Sequence, residues 1–335
     1  MNPLNDILSI KADDRDRVPL LLAPMAGITD WAFRTLAEKK GCDAATTEMI
    51  SAQGFIYARK TRSAYQRLIA RAPFEKPLSI QLFGHEPVYM AEAAAILSSM
   101  QRYACVDINM GCPAKKVTSG GSGSALMKDE ALAGRIIAAV VKASLLPVSV
   151  KMRLGWDEAH INAPRFAKIA ENEGAAFVTV HGRTTRQQYS GKADWQVIGE
   201  VKTSVRIPVV ANGDICDGAS AVEALQQTGA DGLAIGRATL GNPWVFEEVR
   251  HGLRGEAFVP PTPEDRLSEA ETHARCLRAS LPEHRALLEM RKFYAWYIKG
   301  LRGASEARTR INTARSFDEI SVILNELIEK NRDPA

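Results

Sequence analysis

Short apolar runs rich in β-branched residues recur along most of the chain, and each interval between them has room for one helix. The eight runs are Pro19–Ala23, Asp43–Glu48, Leu78–Phe83, Cys105–Asn109, Val148–Arg153, Ala176–His181, Pro208–Asn212 and Gly232–Gly236. Helical spacing follows in several intervals, such as Tyr89–Ser99 and Ala131–Lys142. Strands that are continuously apolar and alternate with helices indicate a parallel sheet covered on both faces. Eight such repeats predict an α/β fold, a (β/α)8 TIM barrel. A doubly wound open sheet is the alternative, but no G-x-G-x-x-G motif follows the first strand.

Polar and ionisable residues stand at the carboxyl end of every predicted strand. These ends read Ala23-Pro24-Met25-Ala26-Gly27, Thr47-Glu48-Met49, Gln81-Leu82-Phe83-Gly84, Asn109-Met110-Gly111-Cys112, Lys151-Met152-Arg153, His181-Gly182-Arg183, Asn212-Gly213-Asp214 and Gly236-Arg237. The active site of a TIM barrel lies at this end of its strands. One polar strand end carries little information, because a strand often ends in a polar residue. Eight together predict one continuous site.

The sequence changes character after Arg250. Val259–Pro263 is proline-rich and is typical of a stiff connector. Thr262 is a residue type favoured at a helix N-cap, and it is followed by proline at the first helical position and by acids in the first turn. The spacing of apolar residues is helical from there onward. We therefore predict a catalytic barrel of residues 1–250 and an all-helical C-terminal domain of residues 251–335.

Composition places the chain among ordinary globular proteins. It has 335 residues, of which 46% are hydrophobic and 24% charged, with a formal net charge of +4. Its five cysteines form no C-x-x-C pair, which argues against a disulfide framework or a zinc site and favours a reducing compartment. No apolar run approaches the length of a membrane span. We therefore expect a cytoplasmic protein without metal, membrane or protein partners.

Cys112 is the strongest candidate for chemistry. It stands between Gly111 and Pro113 at the end of a predicted strand, so the thiol is aimed from a restricted backbone. The following loop is basic and then rich in glycine and serine, which suggests a mobile cover over a site for an anion. A buried structural cysteine before an ordinary turn is the alternative.

The last two strand ends predict a phosphate site. Asn212-Gly213-Asp214 and Gly236-Arg237 offer backbone amides and a guanidinium. TIM barrels commonly bind phosphate in the loops after strands seven and eight. Ordinary barrel turns are the alternative interpretation.

Taken together and in order, these segments resemble the flavin-dependent tRNA-dihydrouridine synthases. The matching segments are Pro24-Met25-Ala26-Gly27, Gln81-Leu82-Phe83-Gly84, Asn109-Met110-Gly111-Cys112-Pro113, Lys151-Met152-Arg153, His181-Gly182-Arg183-Thr184, Asn212-Gly213-Asp214 and Gly236-Arg237. The resemblance runs from about residue 19 to the end of the chain. Ser124-Ala125-Leu126-Met127, Arg291-Lys292 and Trp296-Tyr297 are most similar to the bacterial B-type subgroup.

The resemblance implies bound FMN, NADPH as reductant and reduction of the C5–C6 bond of a uridine in the D-loop of tRNA. The residues it assigns to FMN are Pro24, Met25, Ala26, Gln81, Lys151, His181, Asn212, Gly213, Asp214, Gly236 and Arg237. Reduced FMN would give a hydride to C6, and Cys112 would give a proton to C5. A thiol with an ordinary pKa near 8.5 is mostly protonated at neutral pH and can supply that proton. A lysine such as Lys151 beside the flavin ring would stabilise its anionic reduced form; a solvated surface lysine is the alternative.

Other residues are candidates for binding the substrate. Asn109 and Arg153 are expected to face the same cavity and to hydrogen-bond the uracil, which must be flipped out of its loop to reach it. Between residues 285 and 315 there are eight Lys or Arg against two acids, Glu289 and Glu306. We expect phosphate contacts from the residue pairs Lys115-Lys116 and Arg291-Lys292. An amphipathic helix with solvated lysines is the alternative for the tail.

Two other functions fit parts of this pattern. A flavin barrel similar to dihydroorotate dehydrogenase, which reduces a free pyrimidine, would share the cofactor site but has no use for a basic helical tail. An RNA-binding protein on an inactive barrel would not need a complete polar rim with Cys112. The sequence leaves open which uridine is reduced and whether NADPH or NADH is preferred.

Overall fold

Eight parallel strands close into a barrel in the computed structural model, which describes residues 17–58, 63–73 and 75–332. The described residues contain nine strands in all: β1 (Leu20–Leu22), β2 (Ala44–Thr46), β3 (Ile50–Ser51), β4 (Leu78–Phe83), β5 (Cys105–Met110), β6 (Val148–Arg153), β7 (Phe177–His181), β8 (Val209–Asn212) and β9 (Gly232–Ile235). β1 pairs with both β2 and β9, and β2 also pairs with β4, which closes the ring. The two-residue β3 pairs only with β4 and lies outside the ring. The predicted TIM barrel is confirmed.

Helices follow the strands and cover the outside of the barrel. They are α1 (Trp31–Lys39), α2 (Ala52–Tyr57), α3 (Ser63–Gln66), α4 (Pro87–Ser98), α5 (Lys115–Thr118), α6 (Glu130–Ala143), α7 (Ala163–Asn172), α8 (Trp195–Ser204), α9 (Gly218–Thr228) and α10 (Val245–Arg254). Short 3₁₀ turns occur at Gly123–Lys128, Glu158–His160 and Arg237–Thr239. Aspartates begin several helices because their side chains accept from orphan backbone N–H groups, as Asp129 does from Leu132 and Asp194 from Val197.

Four more helices follow in the described part of the chain, and the first two of them pack against α1. They are α11 (Pro263–Arg278), α12 (Glu283–Tyr297), α13 (Ala304–Thr313) and α14 (Phe317–Arg332). Thr262 is the N-cap of α11, as predicted, and it also forms a capping box with Asp265. The ring of Phe33 on α1 lies 5.9 Å from His273 and 5.8 Å from Phe293, measured between ring centroids. The C-terminal helices therefore share an aromatic core with the barrel.

The boundary between the two predicted parts falls within a helix. α10 runs through Arg250 to Arg254, and α11 begins only at Pro263. The division into residues 1–250 and 251–335, with the second part as a separate tRNA-binding domain, stays a prediction. No helix in the described part of the chain is long and apolar enough to span a membrane. The described residues contain no group of three or more potential metal ligands.

Candidate functional site

A cavity of about 1020 Å³ opens at the carboxyl ends of the barrel strands. It gathers side chains that are distant in the sequence, because parallel strands all end at this face. Those of the predicted site that line it are Pro24, Met25, Ala26, Gln81, Asn109, Cys112, Lys115, Lys116, Lys151, Arg153, His181, Asn212, Gly213, Asp214, Gly236 and Arg237. Arg291 and Lys292 are not among the lining residues.

A buried hydrogen-bond chain forms the floor of the cavity between β4, β5 and β6. The amide of Gln81 donates to Asp107 at 2.6 Å, and the hydroxyl of Ser149 donates to the other carboxylate oxygen at 2.5 Å. Burial raises the pKa of Asp107 to about 6, against the lowering effect of these hydrogen bonds. The side-chain oxygen of Gln81 accepts from Asn109 at 2.9 Å. The orientation of the Gln81 amide is thus fixed from both ends.

Asn109 connects this floor to Cys112. Its side-chain oxygen accepts from the backbone N–H of Cys112 at 2.9 Å and of Gly111 at 3.2 Å. The carbonyl of Cys112 accepts from the N–H and the hydroxyl of Ser124 at 3.1 and 3.0 Å. These bonds hold the backbone of Cys112 on both sides, and the residue is partly exposed to the cavity.

The loop after Cys112 is folded into helical turns. α5 occupies Lys115–Thr118, and a 3₁₀ turn follows at Gly123–Lys128. Gly123 has φ of 60°, and an added Cβ would lie 2.8 Å from the carbonyl oxygen of Cys112, so only glycine fits this close approach. The sequence prediction takes the glycines of this loop as a sign of a mobile cover. Gly123 instead allows tight packing against the backbone of Cys112.

Lys151 lies at the centre of the site on β6. Its ammonium donates to the side-chain oxygen of Asn212 at 3.1 Å, and the amide of Asn212 in turn donates to the carbonyl of Ala234. Burial and the nearby Arg153 lower the pKa of Lys151 to about 8. Asn212 of β8 therefore holds the ammonium in place, while burial and Arg153 make its charged form unfavourable. An anionic ligand beside Lys151 would stabilise the charged form.

Arg153 is buried, and no carboxylate within the described part of the chain pairs with it. Its guanidinium donates to three backbone carbonyls, those of Gly111, Thr184 and Gln188, each at 2.8 Å. Burial lowers its pKa to about 10. Burial and the surrounding cations also push the pKa of His181 well below its usual range, so its imidazole is neutral. Arg153 thus adds an uncompensated positive charge to the cavity wall.

The edge formed by the loops after β7, β8 and β9 is also cationic. Arg183 binds Asp214 through two hydrogen bonds of 2.8 and 2.7 Å, and Arg237 binds the same carboxylate at 3.2 Å. The Arg237 guanidinium lies 4.7 Å from the ring centroid of Tyr189. Gly213 has φ of 116° and Asp214 φ of 56°, a turn that left-handed backbone angles make possible. One carboxylate therefore orients two arginines at this edge.

The two tail residues predicted to contact tRNA are engaged within the protein. Arg291 donates to the carbonyl of Ala314 at 3.0 Å. The ammonium of Lys292 donates to the carbonyl of Gly27 at 2.6 Å and to Glu289 at 2.7 Å. Lys115 and Lys116, in contrast, are exposed at the mouth of the cavity. The roles of all four in tRNA binding stay predictions.

The sequence prediction assigns no individual role to several residues that shape the site. They are Asp107, Ser149, Arg183, Tyr189 and Ser124. Asp107 is the one with a readable signal, because a carboxylate in the middle of an apolar strand must be hydrogen-bonded or functional. Tyr189 and Ser124 lie on loops, where pairing depends on the fold of the whole face.

Comparison with known proteins identifies relatives along nearly the whole chain. The family model described as Dihydrouridine synthase (Dus) matches residues 21–331. A probable tRNA-dihydrouridine synthase of Rickettsia conorii is 43% identical over 88% of this chain and 88% of its own. The tRNA-dihydrouridine synthases B of Xanthomonas axonopodis pv. citri and Pseudomonas putida are each 41% identical, over 89% and 88% of this chain and 89% and 86% of their own lengths.

Proposed function

Because this chain belongs to the dihydrouridine synthase family, we propose that it is an oxidoreductase that reduces a uridine of tRNA to dihydrouridine. Relatives named tRNA-dihydrouridine synthase B support the resemblance to the B-type subgroup. The observation that carries the proposal is the position of Cys112. Its thiol belongs to the wall of a large cationic cavity, at the face where TIM barrels catalyse reactions.

The residues of the cavity fit FMN. The cavity volume of about 1020 Å³ lies just above the usual range for small-molecule sites, about 300–1,000 Å³, so the cavity has room for both a cofactor and a base. Within the described residues, the backbone N–H groups of Gly236 and Arg237, directly after β9, donate to no protein oxygen. Free amides beside a guanidinium are the donors that a phosphate group requires.

Each part of the cavity then has a role toward the cofactor. Gly213, Gly236 and Arg237 would bind the phosphate, and Asp214 would orient Arg237. Residues 24–26, Gln81, Lys151, His181 and Asn212 would surround the ring system and ribityl chain. Lys151 would place positive charge beside the ring, where it stabilises an anionic reduced state. Bound FMN, reduced by NADPH, would supply the hydride for C6 of the uracil.

Cys112 would supply the proton for C5. The hydrogen bond from the Cys112 N–H to the side-chain oxygen of Asn109 fixes the backbone of Cys112, so the thiol needs little reorganisation to reach a base in the cavity. The cations Lys151 and Arg153 would stabilise the negative charge that develops on the uracil as the hydride arrives. Arg153 and Asn109 would also contact the edge of the flipped base.

The remaining parts of the proposal concern the partners. The tRNA would approach the open face of the barrel, with Lys115 and Lys116 beside the cavity mouth and the helices from α11 onward as a second contact surface. Arg291 is a proposed phosphate contact on that surface. A tRNA substrate and an NADPH reductant are consistent with a cytoplasmic protein.

The proposal is tested with unmodified tRNA transcript, NADPH and the FMN-loaded protein. We expect dihydrouridine in the transcript and no reduction of free uridine or free uracil, since a free base lacks the phosphate contacts. Reduction of a free pyrimidine without any product in tRNA would replace the proposal with a free-pyrimidine reductase. A protein that binds tRNA but oxidises no NADPH and carries no flavin would show that the barrel is inactive.

A further inference from the structure

Charged side chains hold the backbone of Gly27 at both its N–H and its carbonyl group. Gly27 follows Pro24, Met25 and Ala26 in the cavity wall. Its N–H donates to a carboxylate oxygen of Glu48, and its carbonyl accepts from the ammonium of Lys292 at 2.6 Å. Glu48 lies just after β2 of the barrel, whereas Lys292 belongs to α12. One turn of the cavity wall is therefore tied to both the barrel and the C-terminal helices.

The turn at residues 25–29 is closed by its own hydrogen bonds but needs outside contacts for its orientation. The carbonyl of Met25 accepts from the N–H groups of Ile28 and Thr29, both at 3.0 Å, and the Thr29 hydroxyl accepts from the N–H of Met25 at 3.1 Å. Gly27 has φ of 75°, and nothing lies within 4 Å of an added Cβ. Glycine is thus required there by its backbone angle. The carbonyl at this position points away from the turn, to Lys292.

A chain of alternating charges fixes the position of Lys292. Glu289, one turn earlier on α12, accepts from Lys292 at 2.7 Å and from Arg67 at 2.8 Å. Arg67 also donates to Asp30 at 3.2 Å, and Asp30 caps α1 directly after the turn. Hydrogen bonding to Arg67, and then to Lys292, lowers the pKa of Glu289 to about 2, so this carboxylate stays ionised. The side chain of Lys292 is only 35% exposed, and its ammonium already has two acceptors.

We propose that Lys292 is a positioning residue for the turn at residues 24–27, through which the C-terminal helices set the geometry of the cofactor-binding wall. The inference rests on the proposed function, because it takes this wall to contact FMN. A hydrogen bond from an ammonium to a carbonyl is charge-assisted and therefore stronger than a neutral one. Loss of the hydrogen bond from Lys292 would free the Gly27 carbonyl, on the side of the turn that faces α12. Glu48 would still hold the Gly27 N–H.

The test compares Lys292→Met with Lys299→Met in the full-length protein. Methionine keeps the length and the apolar stem of lysine but removes the ammonium. Lys299 is a matched control because it is exposed two residues beyond the end of α12. Two quantities are measured: amide hydrogen exchange of residues 25–29 in the flavin-free protein, and the FMN dissociation constant from quenching of flavin fluorescence. Lys292→Arg serves as the rescue variant, since it restores a cationic donor.

Lys292→Met should exchange faster at residues 25–29 and bind FMN roughly ten-fold more weakly, as expected for loss of one hydrogen bond to a charged group. Lys299→Met should do neither, and Lys292→Arg should recover most of the affinity. Parental exchange and FMN affinity in Lys292→Met, together with a weaker salt dependence of tRNA binding, would make Lys292 a phosphate contact and overturn the inference. Failure of the proposed function has a different signature, a parent protein that forms no dihydrouridine.

Discussion

Asn109 shows how much of the site depends on one neutral side chain. Its oxygen accepts from the N–H groups of Gly111 and Cys112, and its amide donates to Gln81. Asn109→Ala leaves these buried groups without partners, so we expect the free energy of unfolding to fall by about 1–3 kcal/mol. Urea denaturation measures this change, and Asn172→Ala, on the exposed end of α7, is the control. Equal stability of Asn109→Ala and the parent would mean that these hydrogen bonds are unimportant.

Lys151 predicts a pH dependence of cofactor binding. Its pKa is lowered from 10.5 to about 8, so in the flavin-free protein the ammonium is lost as pH rises through about 8. FMN affinity should therefore decrease from pH 7 to 9. The unfolded chain keeps this proton up to about pH 10, so this lysine makes folding relatively more favourable as pH rises from 8 to 10. Fluorescence titration at several pH values checks the binding prediction. Lys151→Met should bind FMN weakly and equally across this range; a pH slope that persists in this variant would assign the titration to another group.

At the scale of elements, the packing of α11 on the barrel depends on a buried histidine. Both ring nitrogens of His273 are buried beside Phe33 and Phe293, and neither has a hydrogen-bond partner among the described residues. Burial lowers its pKa from 6.5 to about 4. The folded state therefore favours the neutral ring, and its contribution to stability is complete above pH 6.5 and is lost as pH falls from 6.5 toward 4.

His273→Leu should remove this pH dependence. A pKa shift of this size corresponds to about 3 kcal/mol between pH 7 and pH 4. Between pH 7 and pH 4, we expect the unfolding free energy of the parent to fall by about 3 kcal/mol more than the unfolding free energy of His273→Leu. Urea denaturation at each pH measures both values. His284→Leu, which changes an exposed histidine on α12, should behave like the parent. Parallel pH profiles for the parent and His273→Leu would contradict this account.

The elements also show what the sequence could predict. The runs Leu78–Phe83 and Val148–Arg153 coincide with β4 and β6, because a strand buried on both faces needs an uninterrupted apolar segment. The two-residue β3 has no periodicity and was not predicted. Many cavity-lining residues could be predicted because they stand within the last positions of the strands or directly after them, whereas Tyr189, on a loop, was missed. The pairing of Arg183 and Arg237 with Asp214 could not, since it depends on how three loops fold against each other.

For the whole molecule, we propose that tRNA approaches the open face of the barrel. Lys115 and Lys116 are exposed there, beside the cavity. Replacing both with alanine should reduce the slope of log K against log salt for tRNA binding by about 1.5, since each phosphate contact contributes roughly 0.7 to 0.9. Binding isotherms at several salt concentrations give this slope. Arg135→Ala with Lys142→Ala, both exposed on the outer helix α6, should leave it unchanged. Identical slopes for the two double variants would remove α5 from the tRNA interface.

The central claim, that Cys112 protonates a uridine in this cavity, is tested most directly by the two half-reactions of Cys112→Ala. The thiol is not required for NADPH to reduce the flavin, so this rate should stay near that of the parent. Reduction of the uridine needs the proton, and a positioned general acid contributes about a hundred- to ten-thousand-fold. Stopped-flow measurement should therefore show that unmodified tRNA reoxidises the reduced variant at least about a hundred-fold more slowly than it reoxidises the parent, with bound flavin retained. Reoxidation at the parental rate would contradict the account and transfer the role of proton donor to another residue of the cavity.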